Sequence, residues 1–281
     1  MYQIVKKRIL NPHVTQMEVY APHIAKKALP GQFIILRIDE EGERIPLTVA
    51  GCNREAGTVT IIFQKVGYTT NRLDTYEQGD SLLDFVGPLG VASEFHGMKN
   101  VAVVGGGLGV AIAYPQAKAL HDLGANVSLI VGFRNNDLII LKEELAAAST
   151  ELIIMTDDGS NGNKGFVTDG LRQLFQAGRE FDTVIAIGPL VMMKAVCDIT
   201  KEHNIRTIVS MNSTMIDGTG MCGCCRLSVG GKTKFACVDG PDFDGHLVDF
   251  AEAMARSRMF YKEEAAIIDH HCNLLGGAVN G

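Results

Sequence analysis

Four of the seven cysteines lie close together near the C-terminal end of the chain, at Cys222, Cys224, Cys225 and Cys237. They follow the glycine-rich stretch Met-Ile-Asp-Gly-Thr-Gly-Met, which contains Asp217. Thiolates are soft ligands that suit iron–sulfur clusters, and a glycine-rich loop is able to wrap a small inorganic centre. Three thiolates and one carboxylate in this spacing favour a [2Fe–2S] cluster, so electron transfer is the first hypothesis for the function.

Zinc is the alternative for this loop, because Cys-x-x-Cys with a further cysteine and an oxygen ligand also suits a structural zinc site. Cys224 and Cys225 are adjacent and are not expected to bind one metal together, and Cys225 restores the Cys-x-x-Cys spacing with Cys222. A zinc-stabilised regulator that binds a nucleotide therefore stays open as another class of function. The isolated cysteines, to which we assign no role, are Cys52, Cys197 and Cys272.

The composition limits the partners and the compartment. The 281 residues are enough for two ordinary domains. The 26 basic and 32 acidic residues give a net charge of -6 without charged blocks, which argues against nucleic acid as a partner. The N-terminus lacks the pattern of a secretory signal, and the longest uncharged run, residues 100–117, is short for a membrane span and interrupted by glycines. We expect a cytoplasmic protein without a membrane partner.

The sequence pattern changes near residue 97 and indicates two different domains. Residues 1–97 contain short β segments, expected at 32–37, 58–63 and 81–85, with glycine and proline turns between them, which favours an antiparallel β-barrel or a sandwich; we expect a barrel. Residues 98–210 alternate apolar β runs with helical stretches, which predicts a parallel α/β sheet covered on both faces. The strands expected in that sheet cover residues 101–104, 127–131, 152–155, 184–187 and 207–210.

Helix signals and a third region complete the expected layout. Asn135 and Thr168 are the expected N-caps of helices over residues 137–148 and 169–176. Residues 211–281 are loop-rich around the cysteines and end in a polar helical tail over residues 246–269. We expect this third region to be an appendage that holds the cluster and is too small to fold without its metal.

Two glycine-containing loops follow predicted strands and favour a nucleotide site. Backbone amides at the start of the helix after the first loop could face a pyrophosphate. Both loops fall at the carboxyl ends of strands, where open α/β sheets bind ligands. A tight strand-to-helix turn without a ligand is the simpler alternative. The residues expected at the nucleotide are Gly105, Gly106, Gly107, Leu108 and Gly109 in the first loop and Gly188, Pro189 and Met192 in the second.

Three polar residues nearby are further candidates for the nucleotide site. Asp157 and Asp158 end a predicted strand and could bind ribose hydroxyls or line a nicotinamide pocket, while an Asp-Gly turn is the alternative. Arg134 follows another strand and could contact an adenosine phosphate, although such arginines are commonly solvated loop residues.

The barrel region offers two motifs for a second cofactor, a flavin. Arg44 could pair with a phosphate, and Thr48 could hydrogen-bond the polar edge of the flavin ring. The helix start after Thr70 could hold a pyrophosphate. Without the rest of the chain, both motifs are also typical of ordinary strand ends. The residues expected at the flavin are Arg44, Pro46, Leu47, Thr48, Gly67, Thr69 and Thr70.

Taken in order, the motifs Arg-Ile-Pro-Leu-Thr, Gly-Gly-Gly-Leu-Gly, Gly-Pro-x-x-Met and Met-Ile-Asp-Gly-Thr-Gly-Met-Cys-Gly-x-Cys-Arg resemble the ferredoxin reductase-like flavoproteins over nearly the whole chain. More narrowly, the chain resembles the small subunits of NADH-dependent ferredoxin:NADP oxidoreductase, also described as sulfide dehydrogenase subunits. The related electron-transfer subunits of dihydroorotate dehydrogenase have cysteine at the first ligand position, where this chain has Asp217. The ligands implied by the resemblance are Asp217, Cys222, Cys225 and Cys237, with Cys224 a bystander.

The resemblance implies a cofactor set and a partner. FAD would sit mainly on the barrel, NAD(H) or NADP(H) would dock on the α/β domain, and the [2Fe–2S] cluster would relay single electrons to another subunit. That partner would be a larger flavin and iron–sulfur subunit that binds NADPH and performs electron bifurcation, with ferredoxin involved indirectly. No side chain need act as a general acid or base, since the cofactors supply the chemistry.

The chain departs from the flavin motif of the broader superfamily, Arg-x-Tyr-Ser/Thr. Leu47 occupies the aromatic position and Arg44 lies one residue early, so the role of Thr48 carries over more directly than that of Arg44. A dihydroorotate dehydrogenase electron-transfer subunit is the alternative within this class. The choice between NADH and NADPH stays open, as do the direction of electron flow and the partner's identity.

Overall fold

The computed structural model describes residues 1–261, and its N-terminal part is an antiparallel sheet of seven strands with two short helices. The elements are β1 (Tyr2–Asn11), β2 (Val14–Tyr20), α1 (Pro22–Lys27), β3 (Phe33–Arg37), β4 (Ile45–Asn53), β5 (Thr58–Gln64), α2 (Tyr68–Asp74), β6 (Ser81–Leu82) and β7 (Asp84–Leu89). The strand order is β6-β1-β2-β5-β4-β3-β7. Only Leu83 separates the two edge strands in the chain, so the sheet curls until its edges are neighbours. The predicted antiparallel barrel is confirmed, while the strand expected at residues 81–85 is split between β6 and β7.

Alternating apolar residues fix the register of this barrel. Met17 of β2 lies opposite Ile61 of β5, and Val19 lies opposite Val59. All four side chains are fully buried, and burial of each contributes roughly 1.5–3 kcal/mol. A slip by one residue would turn this set outward, so the register is firmly specified. The same register holds β4, which carries the Pro-Leu-Thr motif, in place.

The second part of the chain contains a parallel sheet with helices on both faces. Its elements are β8 (Asn100–Gly106), α3 (Gly109–Asp122), β9 (Asn126–Phe133), α4 (Lys142–Ala147), β10 (Glu151–Thr156), α5 (Val167–Gln176), β11 (Thr183–Ile187), α6 (Leu190–Glu202) and β12 (Arg206–Ser210). The strand order is β10-β9-β8-β11-β12 and all these neighbours are parallel. Val103 packs in the cluster of Val110 from α3, and Val104 in the cluster of Val196 from α6. The predicted α/β sheet is confirmed.

The strand order places a switch point beside the two glycine-containing loops. From β8 the chain winds toward β9 and β10, and from β11 it winds in the opposite direction toward β12. The loops after β8 and β11 therefore start side by side at the carboxyl edge of the sheet and lead away in opposite directions. Open α/β sheets bind ligands at such a point.

The third region is joined to the sheet and is not an appendage. It contains β13 (Arg226–Val229), β14 (Lys232–Phe235), α7 (Ala236–Asp239), β15 (Asp242–Asp244) and α8 (Phe250–Ser257). Strand β15 pairs antiparallel with β12, with Asp242 opposite Ser210. One buried cluster joins Ile35 of the barrel, Val104 of the parallel sheet and the cysteine Cys237. The expected separate appendage is wrong, because the open edge of β12 accepts a sixth strand.

Helix α8 is part of the predicted polar tail, and the remainder of that tail to residue 269 lies outside the described residues, as does Cys272. Within residues 1–261, no helix is long and apolar enough to span a membrane.

Neither predicted N-cap residue begins the α-helix expected after it. Asn135 is the N-cap residue of a single 3₁₀ turn, Asn136–Leu138, and α4 begins only after Leu141, whose left-handed φ of 56° separates the two. Helix α5 begins before Thr168, and Phe166 is its N-cap residue. The carboxylate of Asp169 accepts a hydrogen bond from the backbone N–H of Phe166 at 2.8 Å. The cap is thus supplied from inside the first turn.

Candidate functional site

A cleft of about 1140 Å³, here called the main cleft, lies between the barrel and the carboxyl edge of the parallel sheet. Its walls come from β4, from the loops after β8 and β11, and from the segment after β12. Pockets for one drug-sized ligand measure roughly 300–1,000 Å³, so this cleft has room for more than one ligand group. The predicted residues that line it are Pro46, Leu47, Thr48, Gly106, Gly107, Leu108, Gly109, Arg134, Asp157, Gly188, Pro189 and Met192.

The remaining predicted residues lie elsewhere. Gly105 packs beneath the loop, since a Cβ there would come within 3.2 Å of Val110. In the described part of the chain, the predicted residues outside the lining of the main cleft are Arg44, Gly67, Thr69, Thr70, Gly105, Asp158, Asp217, Cys222, Cys225 and Cys237.

The glycines of the first loop serve close packing as well as the cleft. A Cβ on Gly109 would lie 2.4 Å from the carbonyl oxygen of Ile187 and 2.7 Å from Cα of Gly188. A Cβ on Gly106 would lie 2.4 Å from Sδ of Met192. Gly107 differs, because it has a left-handed φ of 56° and a Cβ there would meet nothing within 4 Å. The tight turn and an open approach to the main cleft therefore coexist in this loop.

The two acidic residues after β10 have different surroundings. Asp158 lies in the turn, where its carboxylate accepts hydrogen bonds from the hydroxyl of Ser160 at 2.7 Å and its N–H at 2.9 Å. These bonds, the hydroxyl first, lower the pKa of Asp158. Asp157 and Arg134 both line the main cleft. Of this pair of acids, only Asp157 is placed to face a ligand there.

Arg44 connects the barrel with the glycine-rich loop. Its Nε donates to the carbonyl oxygen of Ile216 at 2.8 Å, and its Nη1 lies 3.7 Å from the carboxylate of Asp84. Ile216 immediately precedes Asp217, so the guanidinium holds the start of the cysteine loop. A contact of Arg44 with a flavin phosphate stays a prediction.

The second barrel motif forms the start of α2. The hydroxyl of Thr70 accepts hydrogen bonds from the N–H groups of Val66 and Gly67, each at 3.1 Å. The hydroxyl of Thr69 donates to Glu43 at 2.6 Å. A pyrophosphate site at this turn stays a prediction.

Two of the four predicted metal ligands lie in contact. The sulfur atoms of Cys225 and Cys237 are 3.2 Å apart, and both side chains are buried. Cys225 immediately precedes β13 and Cys237 lies in α7, so the hairpin between them brings the thiols together. Burial, followed by the hydrogen bond with Cys225, raises the pKa of Cys237 to about 12. A metal bound here would have to displace that proton.

The other two predicted ligands lie on the loop that leads to this pair, where Asp217 is half-buried and Cys222 is exposed. Asp217 accepts hydrogen bonds from the hydroxyl and the N–H of Thr219, and these bonds lower the pKa of Asp217. Cys222 is hydrogen-bonded by the backbone N–H of Cys224, which lowers the pKa of the Cys222 thiol. Within residues 1–261, no group of three or more histidine, cysteine or acidic side chains is drawn together as in a metal site. The buried thiol pair has the soft donors that an iron–sulfur centre needs, with two further donors on the adjoining loop.

Several residues of the main cleft were not identified from the sequence. Phe133 and Ser210 end strands of the parallel sheet, a signal that would have found them. The barrel residues come from separate strands and have no common motif. Phe166 lies just before α5 and is 63% exposed at the cleft. The missed lining residues include Asn11, His13, Gln64, Phe133, Phe166, Ser210, Met211, Asn212, Ser213, Met215, Val191 and Pro241.

Two family models match this chain. Residues 103–198 match the oxidoreductase NAD-binding domain, and residues 212–249 match the iron–sulfur cluster binding domain of dihydroorotate dehydrogenase B. The second match contains all four predicted cluster ligands. It favours iron–sulfur over the zinc alternative.

Relatives match over nearly the full chain. An uncharacterised protein of Clostridium beijerinckii is 51% identical over 94% of this chain and 92% of its own. A homologue of the electron transfer subunit of dihydroorotate dehydrogenase B (NAD(+)) from Thermotoga maritima is 44% identical over 93% of this chain and 92% of its own. A solved chain of the NADH-dependent reduced ferredoxin-NADP oxidoreductase, from a study of flavin-based electron bifurcation, is 42% identical. It superposes with a TM-score of 0.91 and covers 96% of this chain and 98% of its own.

The barrel, the parallel sheet and the cysteine region together define an oxidoreductase of the ferredoxin reductase-like flavoprotein class with an added iron–sulfur domain. The predicted cofactors, FAD, a [2Fe–2S] cluster and NAD(P)H, are those of this class, so the prediction of the cofactors is confirmed. Within the class, this chain belongs to the family of dihydroorotate dehydrogenase B electron transfer subunits and their homologues.

Phe166 gives the first testable prediction about the cleft. Its exposed ring at the mouth is available for stacking on a nucleotide base, an interaction worth roughly 1–3 kcal/mol. We expect Phe166→Ala to raise KM for NAD(P)H about tenfold, a factor that corresponds to roughly 1.4 kcal/mol. Steady-state reduction of an artificial acceptor measures it. Phe166→Tyr, which keeps the ring, is the control, and equal KM values for wild type and Phe166→Ala would rule out the contact.

Proposed function

We propose that this chain is the electron-transfer subunit of a larger oxidoreductase, in which a hydride from NAD(P)H reaches a flavin in the main cleft and electrons leave singly through the [2Fe–2S] cluster. One observation carries the proposal. Met215, two residues before Asp217, and Pro241, four residues after Cys237, form part of the wall of the main cleft. The nucleotide loops, the barrel motif and the cluster region therefore meet at one place.

Different walls of the main cleft are proposed to bind different cofactors. Thr48, Leu47 and Pro46 of β4 would face the flavin, and the loops after β8 and β11 would hold NAD(P)H with Arg134 and Asp157 at the ribose and phosphate end. The flavin supplies the conversion of a two-electron donor into single electrons. The apolar residues Ile112 and Met192 line the same cleft and would limit the entry of water. We propose residues 1–97, 98–210 and 211–281 as the three corresponding regions.

The proposed cluster ligands are Asp217, Cys222, Cys225 and Cys237. Cys225 and Cys237 would bind from the two ends of the hairpin, and Asp217 and Cys222 would bind from the glycine-rich loop. Arg44 supports this loop by its hydrogen bond to Ile216, so the barrel helps to position the cluster region. Cys224 is expected to be a bystander.

Asp217 is the ligand with the clearest spectroscopic test. Asp217→Cys is expected to keep the cluster and to change its EPR spectrum and reduction potential, because a thiolate is softer than a carboxylate and the site charge and donor set are levers on potential. Redox titration followed by EPR measures both. Thr219→Val removes only the hydroxyl that holds Asp217 and is the control. An unchanged EPR spectrum and potential in Asp217→Cys would remove Asp217 from the ligand set.

A larger flavin and iron–sulfur subunit that binds NADPH is the proposed partner, with ferredoxin served indirectly. Support comes from the similar ferredoxin-NADP oxidoreductase chain, and from exposed apolar residues on the cysteine loop. Met221 is 89% exposed beside Cys222, and Ile216 and Val238 are also exposed. Exposed apolar residues near the proposed cluster ligands are typical of a surface that binds another protein. We propose a cytoplasmic location, which suits the six free cysteines of the described residues.

The first test is an absorption spectrum of anaerobically purified protein, with iron and acid-labile sulfide assayed in the same sample. Flavin absorption over an iron–sulfur background, about two irons per chain and bleaching by NADH would support the proposal. A colourless protein that neither FAD nor iron and sulfide can reconstitute would contradict it.

The second candidate function is electron transfer to a dihydroorotate dehydrogenase catalytic subunit. It is favoured by the match of residues 212–249 to that family's cluster domain. Asp217 at the first ligand position favours the ferredoxin:NADP oxidoreductase group instead. Orotate reduction in the presence of the matching catalytic subunit distinguishes the two, and its occurrence would select the second candidate.

A further inference from the structure

A buried polar group joins β15 to the rest of the molecule. Asp242 accepts a hydrogen bond from the hydroxyl of Ser93 at 2.5 Å and one from Nε2 of Gln116 at 3.4 Å. Ser210 lies directly opposite Asp242 in the β12–β15 pair, and its hydroxyl lies close enough to the carboxyl group to favour the charged form. Ser93, Gln116 and Ser210 come from the segment after the barrel, from α3 and from β12, respectively. The carboxyl group thus lies where all three regions of the chain meet.

Two oxygen atoms of this group lack a donor. Oδ1 of Asp242 and Oε1 of Gln116 are both shielded from solvent and have no hydrogen-bond partner among residues 1–261. A buried acceptor without a donor is costly, and a proton on the carboxyl group would supply one. Burial also raises the pKa of Asp242, in spite of the opposing effects of Ser93, Ser210 and Gln116. A neutral carboxyl group therefore fits this position better than a carboxylate.

The group lies between two spaces. Ser210 lines the main cleft, while Ser93, Gln116 and Asp242 line a second cavity of about 250 Å³, here called the rear cavity. Four charged residues with exposed side chains line the rear cavity and connect it with solvent: Glu94, Arg206, Asp239 and Asp244. Ser210 and Asp242 are consequently a polar connection from the main cleft to the rear cavity.

Redox chemistry in the main cleft leaves a proton to be removed, an argument that rests on the proposed function. A hydride carries one proton and two electrons. An iron–sulfur cluster passes on electrons alone, so one proton must leave the main cleft for every two electrons that depart.

We propose that this proton leaves through Ser210 and Asp242 into the rear cavity. Asp242 first releases its own proton to water in the rear cavity. Ser210 then passes its hydroxyl proton to the carboxylate while its oxygen accepts the proton from the main cleft. One O–H bond forms for each that breaks, and no oxidant or reductant is consumed. The three acidic groups and the single Arg206 at the rear cavity favour the outward movement of a cation.

Single-turnover reoxidation tests this path. Wild-type protein is reduced with NADH and mixed with ferricyanide, which takes electrons and no proton, while flavin absorbance and a pH-indicator dye are followed together. In Asp242→Asn and in Ser210→Ala we expect proton release and flavin reoxidation to slow about tenfold or more, the low end of the effect of a positioned proton-transfer group. Acetate, a small proton carrier, is expected to restore the rate in Asp242→Asn.

Ser128→Ala is the matched control, because Ser128 is a buried serine of β9 in the same sheet and lines neither the main cleft nor the rear cavity. We expect its rates to stay within about twofold of wild type. Infrared spectra give a readout independent of turnover: the band of a protonated carboxyl group should be present in wild type and absent in Asp242→Asn. Equal slowing in all three variants, or wild-type proton release in Asp242→Asn, would overturn the proposal. If NADH fails to bleach wild type, the proposed function fails instead, and the infrared band still decides whether Asp242 holds a proton.

Discussion

Cys237→Ser protein is expected to lose its iron–sulfur cluster while it keeps FAD and is still reduced by NADH. Iron should fall from about two atoms per chain to a trace, since a neutral serine hydroxyl is a far poorer ligand for iron than a thiolate. Even groups that only support metal ligands change affinity by roughly 10–100-fold, so loss of a direct ligand should exceed about 100-fold. Delivery of electrons to a one-electron protein acceptor should fall accordingly. Iron assay, EPR and stopped-flow flavin reduction measure the three quantities.

The structure explains why this variant should separate the two activities. Cys237 is buried against Cys225, and the residues that line the main cleft are others. Serine is close to cysteine in volume, and the neighbouring thiol of Cys225 offers its hydroxyl a hydrogen-bond partner, so the shared core should tolerate the change.

Cys224→Ser is the matched control, because Cys224 lies beside Cys225 and is the expected bystander. It should keep its cluster and its EPR spectrum. Loss of the cluster in Cys224→Ser, or its retention in Cys237→Ser, would show that the ligand set is wrong.

Elements with a strong local pattern were predictable. The run Val101 to Val104 is apolar without interruption, which is typical of a strand buried on both faces, and β8 occupies it. The loops after β8 and β11 were placed at the main cleft because parallel strands bring their carboxyl ends to one edge. The barrel followed from alternation and turns in the same way.

The contribution of β15 was not predictable, because its sequence Asp-Phe-Asp has no strand pattern of its own. It becomes a strand by pairing with the edge of β12, far away in the chain. The helix starts failed for a related reason. Leu141 adopts a left-handed conformation that sequence preference disfavours for leucine, and this conformation delays α4.

The site was predictable where a single sequence motif forms one wall of the main cleft. The glycine loops and Thr48 are such cases, and both lie at the main cleft. Asn11 and Gln64 were missed, because they are distant in the sequence and become neighbours only through β2, where Val14 pairs with both. The positions of Asp217 and Cys222 relative to the buried thiol pair were not predictable either, since metal sites gain their final geometry from coupled binding and folding.

The largest effect on fold and site together is expected for Gly109→Ala. A single methyl group at this position would lie 2.4 Å from the carbonyl oxygen of Ile187 and 2.7 Å from Cα of Gly188. Both are backbone atoms of the neighbouring strand and its loop, so no side-chain rotation relieves the clash. Overpacking of this kind costs about 1–3 kcal/mol, which corresponds to a fall in Tm of roughly 2–12 °C for a chain of this size. Calorimetry of the purified holoprotein measures it.

The same variant should also lose nucleotide binding, because relief of the clash separates the loops after β8 and β11 that form one wall of the main cleft. We expect KM for NAD(P)H to rise more than about tenfold, since small displacements of positioning groups cost up to about 100-fold. Gly107→Asn is the control in the same loop: asparagine accepts the left-handed φ of 56°, and its Cβ meets nothing within 4 Å. Its Tm should stay near that of wild type while its side chain narrows the cleft and raises KM. A wild-type Tm and KM in Gly109→Ala would mean that the two loops are free to separate, and that their close approach does not shape the site.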